Sequence, residues 1–194
     1  NPRGSTYTCS ISAWVWQGDV SDDFMVSQNW YNCGLLNGPD SGLNVYFGPI
    51  DQYINGVFQG TFYPLQTAVL TQNFNSPSVK MLSNSDTGLT VAGATYTATG
   101  SIGEKSGSFA HDGTATLTLD NAVWAGSLTL GSNGGNACLF FRGTSDVNGI
   151  LSFGTGGTIC IVNDGDNDLG LTSSTNAVNS AVTYENLSGS TLVM

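Results

Sequence analysis

Between residues 114 and 162 the chain alternates short apolar stretches with turn formers: TATLTL (114–119), AVWAGSLTLG (122–131), ACLFF (137–141), GILSFG (149–154) and TICIV (158–162), each bounded by Gly, Asn or Asp. Runs this short, rich in β-branched and aromatic side chains, predict strands. The phrases also recur. SLTLG ending at Gly131 is echoed by ILSFG ending at Gly154, and ACLFF starting at Ala137 by TICIV starting at Thr158, with a cysteine inside each of the latter pair. A period of about 22 residues corresponds to one turn of a stacked repeat. The expected fold is all-β, a β-solenoid or parallel β-helix-like stack of short strands.

The rest of the chain carries the same rhythm. CSISAWVW (9–16) alternates as an opening strand, with Ile11, Ala13 and Val15 on one face and Ser10, Ser12, Trp14 and Trp16 on the other. LNVYF (43–47), AVLTQNF (68–74), SVKML (78–82), GLTVAGATYTATG (88–100) and SGSFAHDG (106–113) lead into the central repeat, and AVTYENL (181–187) follows it. SIGEKS (101–106) reads as a solvated turn holding Glu104 and Lys105. Tyr53, Ile54, Val57, Phe58, Phe62 and Tyr63 crowd around Asn55-Gly56, and Asn-Gly between apolar residues is a strong hairpin signal. A hairpin over 53–63 would either project as a contact surface or fold back on its own core. No stretch keeps a 3.6-residue apolar period, so almost no helix is expected. The domain reading is one elongated β unit over 1–194, with a cap-like segment at 1–48, an aromatic hairpin region at 49–78 and a stacked-strand body at 79–194.

Trp16, Gly18, Asn29, Trp30, Gly38, Pro39, Asp40, Val45 and Phe47 form a pattern of Trp-x-Gly, Asn-Trp, Gly-Pro-Asp and a V-x-F strand. This first quarter resembles the opening segment of secreted, autotransporter-like β-helix proteins of microbial surfaces. The resemblance implies a stacked parallel fold and an extracellular setting, and it implies no particular activity. Trp16 and Trp30 would then cover the open end of the stack, where bare strand edges template aggregation. Trp14 is a candidate for stacking on a sugar.

Composition narrows the partners. Charged residues are 9 % of the chain, and 14 acidic side chains against Arg3, Lys80, Lys105 and Arg142 leave a net charge of −10. No basic patch exists to neutralise phosphates, which argues against nucleic acid and against anionic membrane surfaces. No apolar run reaches the roughly 20 residues of a membrane helix. A first residue of Asn1 rather than Met points to a leader removed earlier.

Four cysteines allow three pairings. Spacing favours Cys9 with Cys33 and Cys138 with Cys160, because the second pair is separated by one turn of the repeat and stacked strands place equivalent Cα atoms about 4.8 Å apart, within disulfide reach. Two bridges imply an oxidising, extracellular compartment.

Candidate chemistry is thin. His111 and Asp112 are neighbours, and on a strand they would face opposite sides, which speaks against a catalytic dyad. Asp22-Asp23 lack a partner carboxylate arrangement suited to glycoside hydrolysis. Asp164, Asp166 and Asp168 alternate in a Gly-containing stretch and imitate the first half of a calcium loop, although residue 175 is Thr where such a loop wants Glu. Calcium is therefore a candidate ligand, and no cofactor is required. Asn186-Leu187-Ser188 is an N-glycosylation acceptor pattern.

Two functional readings follow. The first is a non-enzymatic extracellular subunit that polymerises with itself into a surface filament, sheath or adhesin stalk, through Tyr53, Phe58 and Phe62 of the hairpin and the apolar end Leu192, Val193 and Met194. The second is a secreted carbohydrate-binding or carbohydrate-acting module recognising surface glycans.

Overall fold

The computed structural model describes residues 13–32, 38–54, 56–168, 181–187 and 191–193. Across them the protein is all-β, with sheets both parallel and mixed, and its helical content is two single 3-10 turns at Ser27–Asn29 and Ser132–Gly134. Cys9, Cys33 and Met194 lie outside the described residues.

One sheet is parallel throughout. It runs in the order Ala181–Asn186, Thr158–Asp164, Asn136–Arg142, Thr114–Asp120, Thr87–Ala92 and Ala68–Leu70. The other runs from Asp146–Asn148 through Val123–Ala125, Thr95–Glu104, Phe74–Leu82, Asn44–Phe47 and Ala13–Trp16 to Trp30–Tyr31, and only the last pairing is antiparallel. Leu128–Leu130 and Leu151–Phe153 extend this second sheet beyond Thr95–Glu104.

The parallel register explains the sequence period. Leu117 lies opposite Leu139 and Leu139 opposite Ile161, with the same separation along the chain as Cys138 and Cys160. On the second sheet Leu128 lies opposite Leu151, a turn longer by a single position. The phrases ACLFF and TICIV are out of phase by one position, since the strands align Ala137 with Ile159 rather than with Thr158. Like side chains therefore stack on like. Leu89, Leu117, Leu139 and Ile161 form one fully buried column, and Phe74, Tyr96 and Trp124 follow one another across the opposite sheet. Both columns belong to one core between the sheets, close-packed as interiors are.

Three turns are longer than the period: the first, from Ala13 to its partner Asn44, which carries the aromatic cap described below, and two that make outward excursions. Val45 pairs with Val79, and the excess chain between them is the hairpin Ile50–Ile54 with Val57–Phe62. Thr87 lies opposite Ala115, and there the excess is the irregular segment 105–113. Both excursions return to the outer face of the second sheet: Ile50, Phe62 and Phe109 pack with Ala13, Val15, Tyr31, Tyr46 and Leu82 in a separate small cluster. The strand expected over 106–113 is thus a loop. The turn expected over 101–106 is largely strand, since Thr95–Glu104 runs through it.

The end near Trp16 is closed by aromatic rings. Trp16, Phe24, Trp30 and Phe47 are fully buried with centroids 4.7 to 6.5 Å apart. The indoles donate to main-chain carbonyls, Trp16 to Gln66 at 2.7 Å and Trp30 to Phe24 at 2.5 Å. The loop before Trp30 is tied by the fully buried Asn29, whose Oδ1 accepts from the amides of Val20 and Ser21 and whose Nδ2 donates to Asp23 O and Ser21 Oγ. Segment 22–24 then covers the outermost strand of the first sheet, with Phe24 N donating to Val69 O at 3.0 Å and Val69 N to Asp22 O at 2.7 Å.

Corners stack as tightly as strands. A Cβ at Gly154 would collide with the carbonyl oxygen of Gly131 in the preceding turn. Gly154→Ala is expected to force these turns apart and cost about 1–3 kcal/mol, as overpacking does, read as a lower urea midpoint with an unchanged slope.

Burial raises the phenols of Tyr46 and Tyr96 well above their ordinary value of 10.0; the charges of Glu104 and Asp51 add to the effect at Tyr46, and a hydrogen bond with Ser76 opposes it at Tyr96. Raised folded values mean that the neutral phenols stabilise fully below the unfolded pKa and lose that contribution as pH climbs above it. Stability is expected to fall from about pH 10 upward, by about 1.4 kcal/mol per pH unit for each tyrosine. Tyr96→Phe should remove one share of that slope in urea titrations across the alkaline range.

Candidate functional site

Chemistry-bearing side chains lie outside the core, on strand faces and at the two excursions. Cys138 and Cys160 are direct register partners with Cα atoms 4.6 Å apart, and they form a disulfide. They alternate with the core residues Leu139 and Ile161, so the bridge lies on the outer face of its sheet. Closing a 22-residue loop this way stabilises the fold by about 3 kcal/mol through the unfolded chain. The bridge is consistent with an oxidising environment.

The hairpin folds where Asn-Gly predicts. Tyr53 pairs with Phe58 and Ile54 with Val57, and Gly56 takes the left-handed conformation (φ 78°) that such turns need. Its base and tip differ. Ile50 and Phe62 pack on the second cluster, whereas Val57 and Phe58 are 62 % and 53 % exposed and the Tyr53 ring sits 5.5 Å from that of Phe58. Of the expected contact residues, Tyr53 and Phe58 are therefore presented to solvent and Phe62 is partly spent on the fold.

Segment 105–113 is held from beneath by Asn84, which is fully buried. Its Nδ2 donates to the carbonyls of Ser106, Phe109 and His111 at 3.0, 2.9 and 3.2 Å, and its Oδ1 accepts from Ser106 N at 2.7 Å. His111 is exposed, with its ring edge-on to Tyr63 at 5.8 Å. Asp112 pairs with Lys105 at 2.9 Å, and Glu104 pairs with Lys80 at 2.7 Å. The adjacent Glu104 and Lys105 thus serve two different ion pairs, both solvent-exposed enough to contribute no more than about 1 kcal/mol. Asp112 is engaged by Lys105 rather than by the histidine beside it.

The acidic stretch after residue 162 is strand, bend and strand rather than a loop: Asp164 ends Thr158–Asp164, and Asp166–Asp168 follows Gly165. Asn163 and Asn167 turn inward here. Asn167 donates to Asn163 Oδ1 at 2.6 Å and accepts from Ser145 N at 2.7 Å, while Ser145 Oγ donates toward Leu119 O and Arg142 O and accepts from Ala122 N. Successive corners are thus joined through buried polar side chains. Among the described residues no three His, Cys, Asp or Glu side chains gather as a metal site; the side chain of Asp168 lies outside them.

Trp14 is 3 % exposed and packs in the main core, which corrects its reading as a sugar platform; the alternation holds, but the face it marks is the inner one. Ala13 and Val15 are buried as well, because the second cluster covers that face. Leu192 and Val193 form a short strand, Thr191–Val193, paired in parallel with Asp166–Asp168 of the same chain, so one edge of that segment is already taken. Asn186 closes the strand Ala181–Asn186, opposite Asn163.

No protein-family model, no curated protein and no solved structure matches the chain. The residue that reading by strands misses is Asn84: its signal, a lone Asn in SNSD between two strand phrases, is indistinguishable from any turn.

Asn84→Ala would remove the buried side-chain partner of three carbonyls and one amide of the loop. The expected result is a loss of about 3 kcal/mol and faster hydrogen exchange at the Ser106 amide, measured by urea unfolding and by NMR.

Proposed function

We propose that the two facing parallel sheets form a β-solenoid, and that the chain is an extracellular, non-catalytic structural subunit which assembles with copies of itself into a filament, sheath or stalk. The observation that carries this reading is the difference between the two ends of the stack. The end near Trp16 is sealed by aromatic rings and by segment 22–24. At the other, Asp146–Asn148, Leu151–Phe153 and Ala181–Asn186 are each paired on one side only among the described residues. Thr183, Tyr184 and Glu185 of the last strand are all exposed.

A parallel edge of this kind accepts another strand without change of register. The apolar tip of the hairpin offers a second, different surface. Contacts between unlike surfaces do not close on themselves and build open chains of subunits. The disulfide supports the extracellular setting, and the low proportion of charge suits a polymer whose subunits lie against one another.

Negative-stain microscopy of the purified native chain is expected to show fibres or tubes. The double substitution Val57→Asp with Phe58→Asp changes exposed side chains only, and it should leave the fold intact while shortening or abolishing the assemblies. A wild-type chain that stays a discrete monomer at every concentration in light scattering would end this reading.

A further inference from the structure

Two of the lengthened turns bring their chain to one place. The hairpin ends at Phe62, and the next residues, Tyr63 and Pro64, form one wall of a cleft. The inserted loop supplies His111, and the turn between Leu82 and Thr87 supplies Ser85 and Asp86. Three segments distant in sequence therefore converge where the regular stack departs from its period.

The cleft is built rather than incidental. Asn84 pins the loop by four hydrogen bonds, one of them to the carbonyl of His111 itself. Asp86 is fixed by accepting from Thr114 N through Oδ1 at 3.0 Å. Phe109 anchors the loop in the second cluster. Among the lining residues, Ser85 is 3 % exposed and its hydroxyl has no hydrogen-bond partner in the protein. A buried polar atom left unsatisfied costs about 1–3 kcal/mol, a cost that a partner from outside the chain would relieve.

The lining specifies the ligand class. Tyr63 and Pro64 give an apolar wall beside an imidazole, a carboxylate and a hydroxyl, which together both donate and accept hydrogen bonds. Among the described residues no lysine or arginine lines the cleft, and the nearby Lys105 is engaged by Asp112. With Asp86 at the site and a net charge of −10, phosphates and acidic sugars are repelled. A ligand that presents a C–H face to an aromatic wall and hydroxyls to mixed donors and acceptors, without charge, is a neutral saccharide. We infer that the cleft lined by Tyr63, Pro64, Ser85, Asp86 and His111 is a binding subsite for a sugar unit of an uncharged polysaccharide.

The cleft is formed within one chain and does not depend on self-assembly. The test is a titration of the isotopically labelled protein with neutral oligosaccharides of glucose, xylose and N-acetylglucosamine, with polygalacturonate and choline as charged comparisons. At least one neutral oligosaccharide should shift the amides of residues 105–113 and 85–86. Tyr63→Ala should weaken that binding by about tenfold, which corresponds to about 1.4 kcal/mol, and Tyr63→Phe should retain most of it. The urea midpoint of each variant is measured alongside, and Tyr63→Phe, which keeps the ring and its contact with His111, separates loss of binding from loss of fold. Silence with every neutral oligosaccharide, or shifts with choline or polygalacturonate alone, would overturn the assignment.

Discussion

The structure depends on one constraint: successive strands pair in parallel, so each turn of chain, whatever its length, must return in register with the one before. In a parallel ladder every interior strand uses both main-chain edges, and a slip by one position would turn every core side chain to the outside. Here that condition holds from Leu117 through Leu139 to Ile161. It also sets Cys138 over Cys160 and brings Gly154 against the carbonyl of Gly131. Corners of such a stack meet backbone to backbone, which is why so many of them lack a side chain.

Polar corners obey the same rule. A loop buried between turns must satisfy its own amides and carbonyls, and in this protein the task falls to a few inward asparagines. Asn29 ties the loop before the aromatic cap, Asn84 ties segment 105–113, and Asn163 with Asn167 joins the corners that meet at Ser145. These side chains replace the secondary structure that the loops do not have. They also make the excursions rigid, which a site needs if its geometry is to recognise anything.

The regular turns and the irregular ones divide the work. Where the period is kept, as between Cys138 and Cys160, the outer surface consists of short strands and a disulfide. At two of the places where it lengthens, between Val45 and Val79 and between Thr87 and Ala115, the extra chain forms the hairpin and the loop that stand on one outer face. The additions leave the ladder undisturbed, because loop length costs little while register is kept. Candidate interaction surfaces accordingly sit at departures from the repeat and at the end whose edge strands, among the described residues, are paired on one side only.

Much of this was legible in the residues themselves. Period, strand class, the Asn55-Gly56 hairpin and the Cys138–Cys160 bridge follow from local preference and from a spacing that only stacking explains. What the sequence by itself could not decide was which face of a strand is inside, and which distant loops meet. Trp14 alternates correctly yet lies in the core, since burial depends on the sheet opposite and not on the strand. His111 meets Tyr63 from a separate turn of the chain and rests on Asn84, and the partner of Asp112 is Lys105 rather than its neighbour. Local sequence sets conformation over short stretches, whereas such contacts are fixed only when the closed register brings separate turns together, and tertiary structure alone supplies that.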